Sequence, residues 1–258
     1  MSSSPASDRL TRSLEGRVAL VTGGAVRVGR AIVEALAARG ASVAFTHSSS
    51  GRASRDLEAV LAERHGADRV LSLSCDVRSE SDVDAAFAAV DARFGRLDLL
   101  VNNAAIFERT PIAEITLEQW QRHLDVNLTG GFLCARRAAA LMQASPSGGG
   151  VIVNIGCAGG VRPWPNHLAY CVSKAGVVMM TQVLALALAP KIRVNAIAPG
   201  PVLPPESYDE AELKRSAATT VLGRLGSPDD VVRAVLFCWD SDYTTGALIP
   251  VEGGRLIL

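Results

Sequence analysis

Tyr170 and Lys174 stand four residues apart in a stretch of helical character, so their side chains project from one face into a common volume. A free phenol ionises near pH 10 and works as an acid or base near neutrality only beside a positive charge. Lys174 is placed to provide one. That spacing alone is common in helices and has little specificity. Cys157 lies thirteen residues before the tyrosine. Its thiol is a weak hydrogen-bond donor, and no base adjacent in the sequence marks it as a nucleophile.

A second group of residues suits an anion. Residues 17–21 form an apolar run ending in Thr22-Gly23-Gly24, after which Val28, Ile32, Ala35 and Leu36 recur at helical spacing over 27–39. A strand, a glycine turn and a helix in immediate succession aim backbone N–H groups and a helix N-terminus at one spot, which receives a pyrophosphate. A lone glycine-rich turn is often only a tight turn or cap. Its position after the first strand gives this one more weight.

These groups need a scaffold, and the hydrophobic pattern supplies it. Strands over 42–46, 70–74 and 97–101 alternate with helices over 53–64 and 80–94. A long helix over 117–142, a Pro/Ser/Gly break at 145–150, a strand over 151–155 and a helix over 167–189 follow. Strands over 192–198 and 247–251 complete the series, with a proline-rich loop at 199–205 and a polar helix at 206–218 between them. Regular alternation predicts a single-domain α/β fold, a Rossmann-type doubly wound parallel sheet of about seven strands flanked by helices.

Composition agrees with one folded unit. The chain has 258 residues, 48% hydrophobic and 20% charged, enough apolar material for a sizeable core and too little charge for disorder. With 26 basic and 26 acidic residues, no overall field draws it to nucleic acid or an anionic membrane, so a small-molecule partner is expected. The five cysteines are odd in number and show no CxxC pairing, which favours a reducing cytoplasm over a disulfide framework and gives no metal site. Residues 1–14 are Ser-rich and read as a flexible tail before a domain at 15–258. The apolar run 175–189 is broken by Thr181 and Gln182; it reads as a buried interface helix too short to span a bilayer.

With Thr22, Gly23 and Gly29 in the turn, Asn102-Asn103-Ala104-Ala105 after the fourth strand and Tyr170/Lys174 on the later helix, the chain resembles the short-chain dehydrogenase/reductase family over nearly everything from Arg17 to Leu258. The resemblance implies a cofactor cradle at Gly23, Arg27 and Val28, an adenine contact at Asp76-Val77 and a nicotinamide wall at Asn103, Ala104, Pro199, Gly200 and Val202. It also implies proton donation by Tyr170, a ribose contact and tuning by Lys174, and support of a proton-relay water by Asn127. Departures are Arg27 for the middle glycine, Ala105 for a glycine, Glu252 for an aspartate, and Cys157 for the usual serine. Arg27 resembles the pteridine-reductase variant, in which arginine contacts the cofactor phosphates, although those enzymes carry aspartate where Cys157 stands.

NAD sites usually close the second strand with an acid for the ribose 2′-OH, whereas a 2′-phosphate would be repelled by it. Here the strand ends Thr46-His47-Ser48-Ser49-Ser50, and the serines with Arg27 and Arg52 suit a phosphate, which favours NADP(H) over NAD(H). The expected activity is therefore an NADPH-dependent oxidoreductase that delivers hydride to a small carbonyl or pterin-like substrate. The alternative is an NADP-binding protein of the same fold with weak or lost catalysis. The family's habit of pairing its two long helices implies a homotetramer or homodimer.

Overall fold

A computed structural model describes residues 12–205 and 208–258. Seven strands, β1 (Val18–Val21), β2 (Ser42–His47), β3 (Val70–Ser74), β4 (Leu99–Asn102), β5 (Gly150–Ile155), β6 (Ile192–Pro199) and β7 (Leu248–Val251), form one sheet in the order β3-β2-β1-β4-β5-β6-β7. Every pairing is parallel. The chain order reverses direction between β1 and β4, so a crevice opens there beyond the carboxyl ends of the strands.

Both sheet faces are buried because the strand side chains alternate. Ala19, Val21, Val43, Phe45, Val101 and Val153 meet helices α1 (Arg27–Ala38), α2 (Gly51–His65) and α8 (Pro228–Asp240). Leu20, Ala44, Leu100, Ile152 and Val194 meet α3 (Glu80–Phe94), α5 (Gly130–Ala144) and α6 (Leu168–Leu188). The amino ends of the central strands β1 and β4 are pinned by Asp98, 2% exposed, whose carboxylate accepts from the Val18 N–H and from Arg17 and Arg96.

Two expected helices need revision and one helix is additional. The helix expected over 117–142 is interrupted: α4 (Leu117–Leu124) passes into a π-helical turn, Asp125–Thr129, before α5. The polar helix expected over 206–218 is α7 (Glu210–Ala217), because the Asp209 side chain caps it by accepting the Glu212 N–H; residues 206 and 207 lie outside the described residues. Helix α8 was not anticipated at all, although Ser227, Pro228 and Asp230 make a capping box with proline at the first turn.

Of the expected tail, residues 1–11 lie outside the described residues, while Leu14 is fully buried and the Arg12 guanidinium stacks on Trp239 at 4.7 Å. Helix α6 has the length and mean hydropathy (1.7) of a membrane-crossing segment, more than its interrupted apolar run suggested. Its buried face nevertheless carries Tyr170, Ser173 and Lys174 against the rest of the fold.

Candidate active site

The glycine turn after β1 is built by close backbone approach. A Cβ on Gly29 would lie 2.2 Å from the Gly23 carbonyl oxygen, so only glycine fits. Asn103 Nδ2 donates to the Thr22 and Gly23 carbonyls, and Thr22 Oγ1 accepts from the N–H groups of Asn103 and Ala104, which ties the turn to the end of β4. Arg27 keeps the left-handed backbone of a glycine, with φ of 55°. That conformation costs an L-residue about 1–2 kcal/mol. Two bonds partly offset it, from Arg27 Nη2 to the carbonyls of Leu203 (2.5 Å) and Pro204 (3.1 Å).

A cleft of about 670 Å³ runs over this turn. Its walls bring together Gly23, Arg27, Val28, His47, Ser48, Ser49, Asp76, Val77, Asn103, Ala104 and Tyr170. No carboxylate stands at the end of β2, and the buried His47 Nδ1 there has no hydrogen-bond partner among the described residues. Arg52 does not reach the cleft; it faces Asp56 on the exposed side of α2. Arg78, which stands in no motif, does line it. Arg78 clamps Asp76 at 2.6 Å, and that hydrogen bond holds the Asp76 carboxyl below its usual range. Asp76 is thus half of an ion pair.

On the other side of Tyr170 lies a second cavity, of about 630 Å³, between the loop after β6 and α7. Gly200 and Val202 line it; Pro199 is buried at the end of β6 and lines neither cavity. Cys157 follows β5, 6% exposed beside Tyr170, with Sγ accepting the Gly159 N–H at 3.3 Å. Phe107 meets the Tyr170 ring edge-on at 4.8 Å and Trp164 stacks on it at 6.1 Å.

Lys174 Nζ donates to the Ile155 carbonyl at 2.8 Å and sits 5.8 Å from the Tyr170 ring centroid. Burial drives its ammonium down to about 8, opposed by the neighbouring Cys157. Burial also raises the Tyr170 phenol well above its ordinary value, and Cys157 adds to the rise. Lys174 alone therefore does not bring the phenol toward neutrality, because both groups are desolvated together. Asn127 sits in the π-helical turn, with Oδ1 accepting from the Ile106 N–H and Nδ2 donating to the Ile106 carbonyl and Ser173 Oγ. Asn127 and Lys174 border a void of about 10 Å³, roughly one water in size.

A family model described as enoyl-(acyl carrier protein) reductase matches residues 24–255. The 3beta-hydroxysteroid dehydrogenase 1 of Eggerthella lenta is 36% identical over 253 residues, 95% of each chain. The chain belongs to the short-chain dehydrogenase/reductase family. Two solved structures superpose on this short-chain dehydrogenase/reductase closely. One is a blue fluorescent protein from a metagenomic library in complex with NADPH, 32% identical with a TM-score of 0.87, over 95% of this chain and 99% of that one. The other is the FolM alternative dihydrofolate reductase 1 of Brucella canis complexed with NADP, 32% identical with a TM-score of 0.86, over 96% and 97%.

Several residues of this short-chain dehydrogenase/reductase site were not legible beforehand. Phe107, the Trp164–His167 stretch, Arg215 and Arg255 come from separate segments and meet in the second cavity. Trp164 and His167, between Cys157 and Tyr170, were the one available signal, because a large aromatic body in a loop needs a surface to cover.

Proposed function

We propose that the protein is an NADPH-dependent oxidoreductase that interconverts a small carbonyl compound and the corresponding alcohol. One observation carries this reading: Tyr170 stands on the wall common to the cofactor-sized cleft and the second cavity, so its hydroxyl can reach a substrate in one while a dinucleotide fills the other. The turn that only Gly29 permits and the unpaired His47 nitrogen suit a dinucleotide. In that cleft Gly23, Arg27 and Val28 hold the pyrophosphate, Asp76 and Val77 the adenine side, and Asn103 and Ala104 the nicotinamide side, while Gly200 and Val202 border the nicotinamide from the second cavity and Pro199 backs them from the end of β6.

A nicotinamide bound there would supply the hydride to the carbonyl carbon. Tyr170 Oη gives its proton to the carbonyl oxygen, and the alcohol forms. Lys174 orients the ribose and, once positive charge gathers beside it, eases loss of the phenolic proton. Asn127 holds the proton path to solvent in place, and Cys157 occupies the position that faces the carbonyl oxygen. The absence of an acid after β2, with Ser48, Ser49 and Arg27 nearby, favours a 2′-phosphate. The NADPH and NADP complexes among the neighbours support the same preference.

A pterin-like substrate is a second reading, favoured by Arg27 and by the likeness to FolM. For assembly, we propose a homotetramer or homodimer through α6, whose Met179, Val183 and Leu186 are 59%, 55% and 83% exposed. The five free cysteines fit a cytoplasmic setting.

The test is to follow NADPH and NADH absorbance with ketones, quinones, dihydropterins and oxoacyl thioesters. Oxidation of NADPH with a KM at least ten-fold below that for NADH supports the reading. Tight NADPH binding with no oxidation across the panel replaces it with a cofactor-binding protein whose catalysis is weak or lost.

A further inference from the structure

The second cavity holds a cation that the hydride transfer does not use. Arg255 opens the short helical turn Arg255–Ile257 at the chain's end, and its guanidinium lies over the Trp164 indole, 4.6 Å from the ring centroid. Trp164 in turn stacks on Tyr170, so the guanidinium and the proton donor flank the same ring system. The residue is held in place from behind, its carbonyl accepting from Arg162 Nη1 at 2.7 Å.

Among the described residues no carboxylate lies within ion-pair distance of Arg255. The acid nearest in sequence, Glu252, is turned to the backbone, its Oε2 accepting the Leu256 N–H. Half burial pushes the guanidinium below its ordinary value, with Cys157 opposing and Arg162 adding to the fall. Arg27, Arg215 and Glu212 are the other charged groups on the wall. Glu212 Oε2 accepts the Asp209 N–H in the helix cap, and Arg27 faces the Leu203 and Pro204 carbonyls. Among the described residues the wall is positive on balance, and its partly desolvated guanidinium, which has no carboxylate there within ion-pair distance, favours a planar anion that accepts two parallel hydrogen bonds. The rings of Phe107, Trp164 and Tyr170 beside it favour a flat carbon body.

We propose that this cavity takes a cyclic ketone, or its alcohol, bearing a carboxylate, with Arg255 as the anion anchor that turns the reacting carbon toward Tyr170. A carboxylate fits better than a phosphate because the wall that offers Arg255 also carries Glu212, which a dianion would meet. The proposal rests on the hydride-transfer reading above, and its test separates the two.

The probes are 4-oxocyclohexanecarboxylate and its methyl ester, assayed by NADPH oxidation with the wild type, Arg255→Leu and Arg255→Lys. Calorimetry of cyclohexanecarboxylate with the NADPH-saturated protein is run in parallel. Loss of a charge-assisted pair predicts that Arg255→Leu lowers kcat/KM for the acid by about 10- to 100-fold, mainly through KM. The ester changes less than two-fold and Arg255→Lys recovers part of the loss. Equal losses for acid and ester would show a merely structural role and overturn the anchor. Carboxylate binding that depends on Arg255, with neither ketone reduced, keeps the anchor and removes the hydride-transfer reading for this class. Reduction of the ester with no carboxylate binding removes the anchor alone, and neither binding nor reduction removes the anchor and the hydride-transfer reading for this class together.

Discussion

Replacing Cys157 by serine tests what the thiol costs. The side chain is 6% exposed beside Tyr170, and its sulfur already accepts the Gly159 N–H at 3.3 Å, so a hydroxyl inherits a ready acceptor bond and keeps its proton free to donate. Toward the oxygen of a carbonyl taking on negative charge, a hydroxyl donor is worth about 1.5–3 kcal/mol, of which a thiol recovers little. Cys157→Ser is therefore expected to raise kcat/KM about 10- to 100-fold, with NADPH affinity unchanged because the thiol lines the second cavity and not the cofactor cleft. Cys157→Ala should stay within a few-fold of the wild type. The assay is steady-state NADPH oxidation with a reactive ketone, with cofactor binding followed separately by fluorescence. Slower turnover in Cys157→Ser, or inactivity of both variants, would refute this reasoning and point to chemistry at sulfur.

Two further predictions concern the scaffold. Gly29→Ala places a methyl 2.2 Å from the Gly23 carbonyl oxygen and should weaken NADPH binding at least ten-fold by calorimetry while leaving the far edge of the sheet intact. Asp98→Ala strips Val18, Arg17 and Arg96 of their shared acceptor and should cost about 3 kcal/mol in denaturant unfolding. Burial alone would raise the Asp98 carboxyl, yet the bonds from Arg96, Val18 and Arg17 outweigh it and leave the group below its ordinary value of 3.8. The stabilisation is therefore complete above that value and lost as pH falls through the folded-state one, so the difference between wild type and variant should shrink under acid. A constant difference down to pH 2 would contradict the assignment.

The sheet was readable because each strand is a short apolar run bounded by turn residues, and alternation with helices leaves a parallel sheet as the simple packing. Helix α8 escaped although Val231, Val232 and Val235 carry helical spacing behind the Ser227-Pro228 start. The π-helical turn at Asn127 left no trace in hydrophobic periodicity, since widening one turn shifts the pattern only slightly. Gly23, Arg27, Asp76 and Asn103 stand in local motifs on contiguous segments and line the first cleft together, whereas Gly200 and Val202 fall in the second cavity and Pro199 in neither. The second cavity was not legible: Phe107, Trp164, Arg215 and Arg255 are distant in sequence, and only the topology brings them together. Nor does a sequence display desolvation, which is why the elevated phenol of Tyr170 and the depressed ammonium of Lys174 emerged only with burial.

The central claim is that Tyr170 transfers the proton, and Tyr170→Phe tests it most directly because phenylalanine preserves the packing against Phe107 and Trp164 while removing only the hydroxyl. Measured with a substrate the wild type reduces, kcat should fall by about 10²- to 10⁴-fold with the Kd for NADPH unchanged. An unaltered rate in the variant would contradict the account.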